Sequence, residues 1–596
     1  MQGSKCSFFE KKEPKKPRSV ASEARQSIFA AQQKDGLLRQ TARNASRFFC
    51  LFFFKKRTLL LCLLLSFGGT AFAEASCDTL VIPPGVGVGS PADVTAFNPL
   101  LADSLYDQEV ANYLYAGLFW FDKNDQIDWS RSIARKVDVS DNGQRYLVTM
   151  RPWPWSDGRP VTADDVLYSW ELIQKLGLNF YGYGQGGVPT MIKSLRVIGR
   201  EQFEITLSQP ANPIWFELNG LSQLTPYPRH SWGKLTTDEL WEDQSNPKYF
   251  TVVDGPFKID RFDMGRFISF VDNPSYPLEH MPFKRIVVKF VQTGGAELQG
   301  IEAGELDISN LPLEALAIGN SLKHIHLVVE PPSFGYTYMG LNFKNPLVPF
   351  FRDVRVRQAI QDAIDEKSMI KALWHGYGVQ SYSPVPPLPP TFLSPAARAG
   401  HFPVGYDPKK AAALLDQAGY LPGPDGIRAK DGVKLSFIMT VPTGTINEVM
   451  MAQFIQPELR NIGIVMKIQQ EDFNQLNAAL QQSIAPWQSY ILIWTLSAYP
   501  SGETTFNTGG SLNFSHYSDP KMDEYINEST NQPGLDGLYK YQDYASEQLP
   551  YVFLPLIEYP VLERDGISGV DHMILPSGEY EPQLLGLNKQ ECDAAH

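Results

Sequence analysis

Apolar residues recur along this chain with two periods, and the switches between them lay out the elements. In "GQRYLVTMRP", Tyr146, Val148 and Met150 occupy every second position, which predicts a strand with one buried face. In "LYDQEVANYLYAGLFWFD", Val110, Leu114, Leu118 and Phe119 recur at helical spacing, and Gly117 sits near the predicted helix end. The longest clear helix is predicted from Asp353 to His375, with Ile360, Ala363, Ile364, Ile370 and Leu373 inward and Gly376 past its end. Asp407-Pro408 starts a further helix, with Pro408 at its first position and Gly419 as its C-cap. "LSFIMTV" and "IVMKIQ" predict strands on either side of the helix "NEVMMAQFIQPELRNIG". "SYILIWTL", apolar throughout, predicts a buried strand. Strands alternating with helices in this half predict an α/β layer architecture.

Two polar segments interrupt the pattern. "WSDGRPVTADDV", residues 155–166, holds three aspartates, which raises the question of an acid–base or metal site. Asp157-Gly158 marks a turn, and Thr162 with Asp165 three residues on predicts a capping box ahead of "VLYSWELIQKL". Asp164 and Asp165 suit the positive end of the helix dipole. The segment contains no histidine, so the aspartates are assigned to scaffold. "NFYGYGQGGVP", residues 179–189, is uncharged and rich in glycine and tyrosine. It fits either a surface loop or an adaptable flap, since tyrosines supply contact area at low entropy cost.

With 596 residues, 43% of them hydrophobic, the chain can bury a large core in two or three domains. Lys55, Lys56 and Arg57 precede an apolar run from Leu59 to Phe67, and Ala71-Phe72-Ala73 follows. This is the pattern of a secretory signal peptide, and the run falls short of the ~20 residues that a spanning helix needs. Cleavage is expected after Ala73, with a soluble periplasmic product. Residues 1–73, which include 54 residues ahead of Lys55, are set outside the fold. They hold 14 Lys or Arg against 4 Asp or Glu, so the whole-chain charge of −12 becomes about −22 on the remainder. So acidic a body is repelled by nucleic acid and by anionic membranes. Of five cysteines, Cys77 and Cys592 remain, which suggests one disulfide in an oxidising compartment. The rival is a lipid-modified Cys77, although Glu74-Ala75-Ser76 lacks the leucine that such signals place three residues before the cysteine.

The phosphate loop, H-E-x-x-H, C-x-x-C, G-x-S-x-G and spaced dinucleotide-binding glycines do not occur. His324 and His326 can share a strand face, but a pair without a third ligand reads as edge decoration. These residues describe an exported two-lobed α/β protein with no catalytic residues, no metal and no cofactor.

The segments "TAFNPLLADS", "LYAGLFWFD", "WSDGRPVTADDVLYSW", "VVDGPFKI", "MGLNFKNPLVPFFRDVRVRQAIQDAID", "YDPKKAAALLDQAGY" and "LNFSHYSDPKMDEYI" occur in this order. Together they resemble the peptide/nickel/opine class of extracellular solute-binding proteins, family 5, which serve ABC importers. The resemblance implies a two-lobed periplasmic binding protein fold, type II-like, with an additional domain inserted in the first lobe. It places lobe I at 78–125, 205–293 and 556–596, the inserted domain at 126–204 and lobe II at 294–555. Chain crossings near Thr293 and Leu556 then form the hinge, and both termini fall in lobe I, which makes a Cys77–Cys592 bridge reasonable. The implied partners are a small ligand, a peptide first, and an inner-membrane permease, with the receptor a monomer. The alternatives are another ligand (metal chelate, haem, opine or oligosaccharide) or, from a different class, an exported hydrolase or envelope assembly factor. Family positions assign ligand contacts to Ser104, Tyr106, Tyr181, Tyr183, Tyr338, Trp494, Thr495, Ser497 and Asn513.

One departure bears on the ligand. Peptide-binding members typically carry an aspartate a few residues after a glycine–tryptophan that ends the buried strand, and it pairs with the peptide's ammonium. Here "IWTLSAYPSGE" places Ile493 at the glycine and Ser497 or Ala498 at the aspartate. The departure implies blocked or modified peptides, unless another acid, with Glu503 the nearest, supplies the countercharge.

Overall fold

The largest sheet has five strands in the order Val465–Glu471, Ser436–Pro442, Ser489–Thr495, Gly335–Leu341 and Tyr551–Leu554. The computed structural model describes residues 77–86, 94–102, 104–180, 182–236, 238–291, 293–482, 486–576 and 578–595. Ser436–Pro442 runs parallel to Val465–Glu471, and helix Ile446–Asn461 makes the crossover that a parallel pair requires. Gly335–Leu341 pairs antiparallel with the strands on both its sides. The two faces of this sheet feed different cores. Met339, Leu341, Met439, Ile491 and Val552 join one core with Val356, Ile360 and Ile455 of the covering helices. Tyr336, Tyr338, Tyr490, Tyr551 and Phe553 join a second core that is largely aromatic where it meets the sheet.

Thr79–Ile82, Arg285–Lys289, Phe267–Asp272 and Phe257–Asp263 form a four-stranded sheet in that order. Ala134–Ser140, Arg145–Met150, Gln202–Leu207 and Ile192–Gly199 form another, antiparallel throughout and built from one continuous stretch of chain. Tyr146, Val148 and Met150 are fully buried on its inner face. A three-stranded sheet has the order Ile325–Glu330, Tyr559–Arg564, Ile308–Asn310. It ties two strands from the stretch 294–555 to one from 556–596, across the expected boundary between lobes. Asp307 adds to this by accepting the Val81 N–H at 2.7 Å. These partners lie more than 200 residues apart, beyond any local pattern.

Cys77 and Cys592 are joined by a disulfide. Among the described residues no helix is long and apolar enough to cross a membrane. The signal segment and its expected cleavage site lie outside the described residues.

Three elements differ from the periodicity. The helix containing Val110 runs only from Leu105 to Leu114, and Tyr115 is already extended. The Leu114 carbonyl accepts from the Gly255 N–H at 2.9 Å, so a distant backbone ends the helix before Leu118 and Phe119. The helix expected over 353–375 is two, Val354–Ala363 and Glu366–Trp374. Ile364 is extended and Asp365 caps the second helix through the Ser368 N–H at 2.9 Å. The strand Ser489–Thr495 is buried only at its start. Only Ser489 and Tyr490 pair with Ser436–Pro442, and Ile493 is 41% exposed.

Candidate functional site

Because the helix Leu105–Leu114 stops at Leu114, the extended residues that follow become a wall. Tyr115, Phe119, Trp120 and Phe121 line a cavity of about 310 Å³ with Trp153, Phe180, Tyr227 and Tyr276. Edge-to-face contacts fix the rings, with centroids 5.7 Å apart for Tyr115–Tyr227 and also for Trp153–Tyr276. Gln108, Asn112, Arg131, Gln223, Glu579 and Glu581 add polar groups. An aromatic cavity with a few converging polar groups is what a small-ligand site requires.

Arg131 and Glu581 set its electrostatics. The Arg131 guanidinium lies 4.4 Å from the Trp120 ring centroid and pairs through Nη1 with Glu279 at 2.8 Å. Its Nε and Nη2 are buried and donate to no protein group. Glu581 accepts from the Trp120 indole N–H at 2.9 Å and from the Gln583 amide. Burial pushes its carboxyl up to about 7, against the pull of the Trp120 bond.

A second, smaller cavity of about 40 Å³ adjoins the first, since Gly578 lines both. Glu330, Pro331, Thr495, Leu575 and Tyr580 are among its walls. The turn carrying Gly578 is closed by a bridge between Ile574 and Tyr580. Gly578 has φ +94°, a conformation that favours glycine. Glu330 is 2% exposed, and neither of its carboxylate oxygens has a hydrogen-bond partner. Burial, then the charges of Asp571 and Glu563, push it up to about 8.

The sequence-assigned ligand contacts divide. Thr495 is exposed at the strand end and lines the small cavity, while Trp494 and Ser497 beside it are half-buried. Phe180, Gly182 and Gln185 bring the glycine- and tyrosine-rich segment into the large cavity wall. Tyr181 lies outside the described residues, and Tyr183 packs against the core. Ser104 caps a helix by accepting the Asp107 N–H at 3.1 Å, and the Tyr106 ring lies against Gly85. Tyr338 is 1% exposed and stacks on Tyr551 with centroids 4.2 Å apart, so it is core and does not reach a cleft. Asn513 is buried in its own turn, donating to Asn507 and Tyr517 carbonyls and accepting the Tyr517 N–H. Glu503 accepts from the Trp215 indole at 3.1 Å and from the Ser501 hydroxyl, which leaves it engaged within the protein.

Glu330 and the Gly578–Glu581 turn were missed. A signal existed in "HLVVEPP", where a lone acid ends an apolar strand immediately before two prolines.

The acidic segment 155–166 forms the capping box. Asp165 Oδ2 accepts from the Thr162 N–H and hydroxyl, both at 2.9 Å, and its Oδ1 accepts from the Arg229 N–H at 3.1 Å. A histidine does arrive, 73 residues away in sequence: His230 Nε2 meets Asp157 Oδ2 at 2.9 Å. Among the described residues no group of three or more His, Cys, Asp or Glu is placed to hold a metal ion.

The family model of bacterial extracellular solute-binding proteins, family 5, matches residues 97–514. The oligopeptide-binding protein AppA of Bacillus subtilis is 26% identical over 482 residues, 78% of this chain and 85% of its own length. The probable D,D-dipeptide-binding periplasmic protein DdpA of Escherichia coli is 28% identical over 341 residues, 55% of this chain and 61% of its own. Among solved structures, NikA of Brucella suis in complex with Fe(III)-EDTA superposes with a TM-score of 0.70 at 20% identity, covering 86% of this chain and 100% of that one. Bacillus subtilis AppA in complex with a nonapeptide gives 0.66 at 24% identity, covering 86% and 99%. At these identities the likeness of structure establishes the two-lobed α/β fold.

Proposed function

Since the chain belongs to family 5 of the bacterial extracellular solute-binding proteins of ABC importers, we propose that it captures peptides and delivers them to a membrane permease. A ligand held between two lobes stabilises the closed form, because only that form contacts it from both sides. The observation that carries the reading is the aromatic cavity joined through Gly578 to a pocket reached by Thr495. It offers aromatic walls interleaved with polar anchors, which suits a ligand of mixed side chains. The extent of the match to an oligopeptide-binding relative supports the same choice.

In our division of the chain, the first lobe also takes Ile308–Asn310 and Ile325–Glu330, because their sheet is completed by Tyr559–Arg564. The hinge then passes through Pro331-Pro332 rather than Thr293. Export to the periplasm by cleavage near Ala73 and a monomeric state belong to the same proposal.

A second reading, a carboxylate-bearing ligand such as a metal chelate or an opine, is favoured by the two undirected Arg131 nitrogens. Thermal-shift screening against peptide pools, metal chelates, opines and oligosaccharides separates the two. A true ligand at a hundredfold excess over Kd stabilises by about 2.7 kcal/mol. Stabilisation by chelates or opines and not by peptides would reject the peptide reading.

A further inference from the structure

Glu330 is a buried acid that nothing in the protein answers. Several buried acids are met: Asp307 by the Val81 N–H, Glu366 by the Ser381 N–H, Glu109 by the Gly85 N–H and the Tyr113 hydroxyl, whereas Asp125 shares the lack of partners but does not line this cavity. Both Glu330 oxygens are buried and lack a partner, and the residue lines a cavity. An isolated carboxylate away from water is strongly disfavoured unless a cation or donors meet it.

The surroundings point to a cation supplied from outside. Among the described residues lining this cavity, Glu330 has the only carboxyl group, and none has a basic side chain. The acids near it, Asp571 and Glu563, deepen the negative potential. Glu563 itself pairs with His326 at 2.8 Å on the exposed side. Tyr580 faces Glu330 and donates to the Val86 carbonyl at 3.1 Å, and Tyr559 is opposite Glu330 in the strand register. Size narrows the choice. A water needs about 10–15 Å³ of such space, so 40 Å³ admits an ammonium on a short stem and excludes a large side chain.

Position supplies the third argument. Thr495 ends the strand after which an amine-pairing aspartate is expected, yet Ser497 and Ala498 cannot hold charge and Glu503 is engaged by Trp215 and Ser501. Thr495 and Glu330 line the same cavity. We propose that Glu330 binds a cationic group of the ligand, an ammonium, and so supplies from the connecting strand the countercharge that the strand Ser489–Thr495 lacks. This rests on the peptide reading, and it replaces the expectation of blocked peptides with one of free amines. With its carboxyl held up to about 8, Glu330 carries a proton in the empty protein at pH 7, and that proton leaves to solvent as the ammonium docks.

The test is calorimetry on the full mature chain and on Glu330→Gln, using matched pools of tri- to hexapeptides with free and with acetylated amino termini. The expected result is at least tenfold weaker binding of the acetylated pool by the wild type. Glu330→Gln should bind both pools alike, at the wild type's acetylated-pool affinity. Loss of discrimination in the variant supports the proposal; a wild type without discrimination, or a variant that keeps it, overturns it. If Glu330→Gln does not fold, wild-type titrations in buffers of different ionisation enthalpy decide. Extra proton release with the free-amine pool supports the assignment, and equal release with both pools overturns it. If neither pool binds, the peptide reading fails, and ethylammonium chloride becomes the probe. A melting shift in the wild type that exceeds that of Glu330→Gln then supports a cation site, and equal shifts reject it.

Discussion

The Trp215 indole N–H donates to Glu503 Oε1 at 3.1 Å, joining segments 288 residues apart. It is one of a set. Asn212, fully buried, donates through its amide to the Ser529 and Gly534 carbonyls, each at 2.8 Å. Asn219 donates to the Tyr499 carbonyl at 2.8 Å and accepts the Tyr499 N–H at 2.9 Å. In the proposed division these bonds run from lobe I to lobe II, so they bias the protein toward a closed arrangement.

Asn212→Ala leaves one buried and one partly buried carbonyl without that donor, and an unsatisfied buried group costs about 1–3 kcal/mol. The variant is expected to lose about 2–4 kcal/mol in chemical denaturation. Trp215→Phe, which removes one partly buried bond, is expected to lose about 1 kcal/mol and to bind ligand more weakly in calorimetry. An Asn212→Ala protein as stable as the wild type would show that the contact is not made in solution.

Tyr338 and Trp494 are expected to respond differently to truncation. Tyr338→Ala deletes a fully buried ring stacked on Tyr551 and is expected to cost about 3–5 kcal/mol in denaturant unfolding. Trp494→Ala removes a half-buried side chain next to Thr495 and is expected to reduce ligand affinity with a smaller change in stability. The reverse ordering of the two variants would contradict the placement of both residues.

Asp125 gives a pH dependence. It is fully buried, both its oxygens lack partners, and burial, then the charges of Glu579 and Asp122, push it up to about 8. Between the ordinary carboxyl range and pH 8 the folded protein holds a proton that the unfolded chain releases. Stability therefore falls as pH rises from about 4 to about 8 and levels off above. Asn tolerates the left-handed backbone here, φ 53°, and cannot ionise. Asp125→Asn is expected to match the wild type at pH 4 and to exceed it by about 2–4 kcal/mol at pH 7.5. Parallel pH profiles of the two unfolding free energies would exclude this cause.

The Cys77–Cys592 bridge spans 515 residues in sequence. For such a closure the chain-entropy model sets a ceiling of about 6 kcal/mol. Reduction is expected to lower the melting temperature and to leave ligand binding intact, since neither cysteine lines either cavity. Free thiol titration together with calorimetry under reductant checks both halves.

What the sequence determined by itself is local or additive. The Thr162–Asp165 capping box, the alternation of Tyr146, Val148 and Met150, and the Pro408 helix start depend on neighbours a few residues away, and order and spacing display them. The family motifs were legible for the same reason, as short strings in a fixed order, and they led to the two-lobed fold. The tertiary structure alone decided whatever depends on partners far along the chain. Tyr338 and Trp494 both stand in aromatic-bearing strands, yet one is sealed by Tyr551 and the other emerges where its neighbouring strand stops pairing. Gly255 ends a helix that its own periodicity would have continued, and His230 reaches Asp157 from outside the acidic segment. Glu330 reads in sequence as a strand end like any other. Only the fold, by bringing Tyr559–Arg564, the Gly578 turn and Thr495 around it, leaves its carboxylate buried at a cavity without a partner, because burial and solvation are properties of the assembled surface and not of the residue.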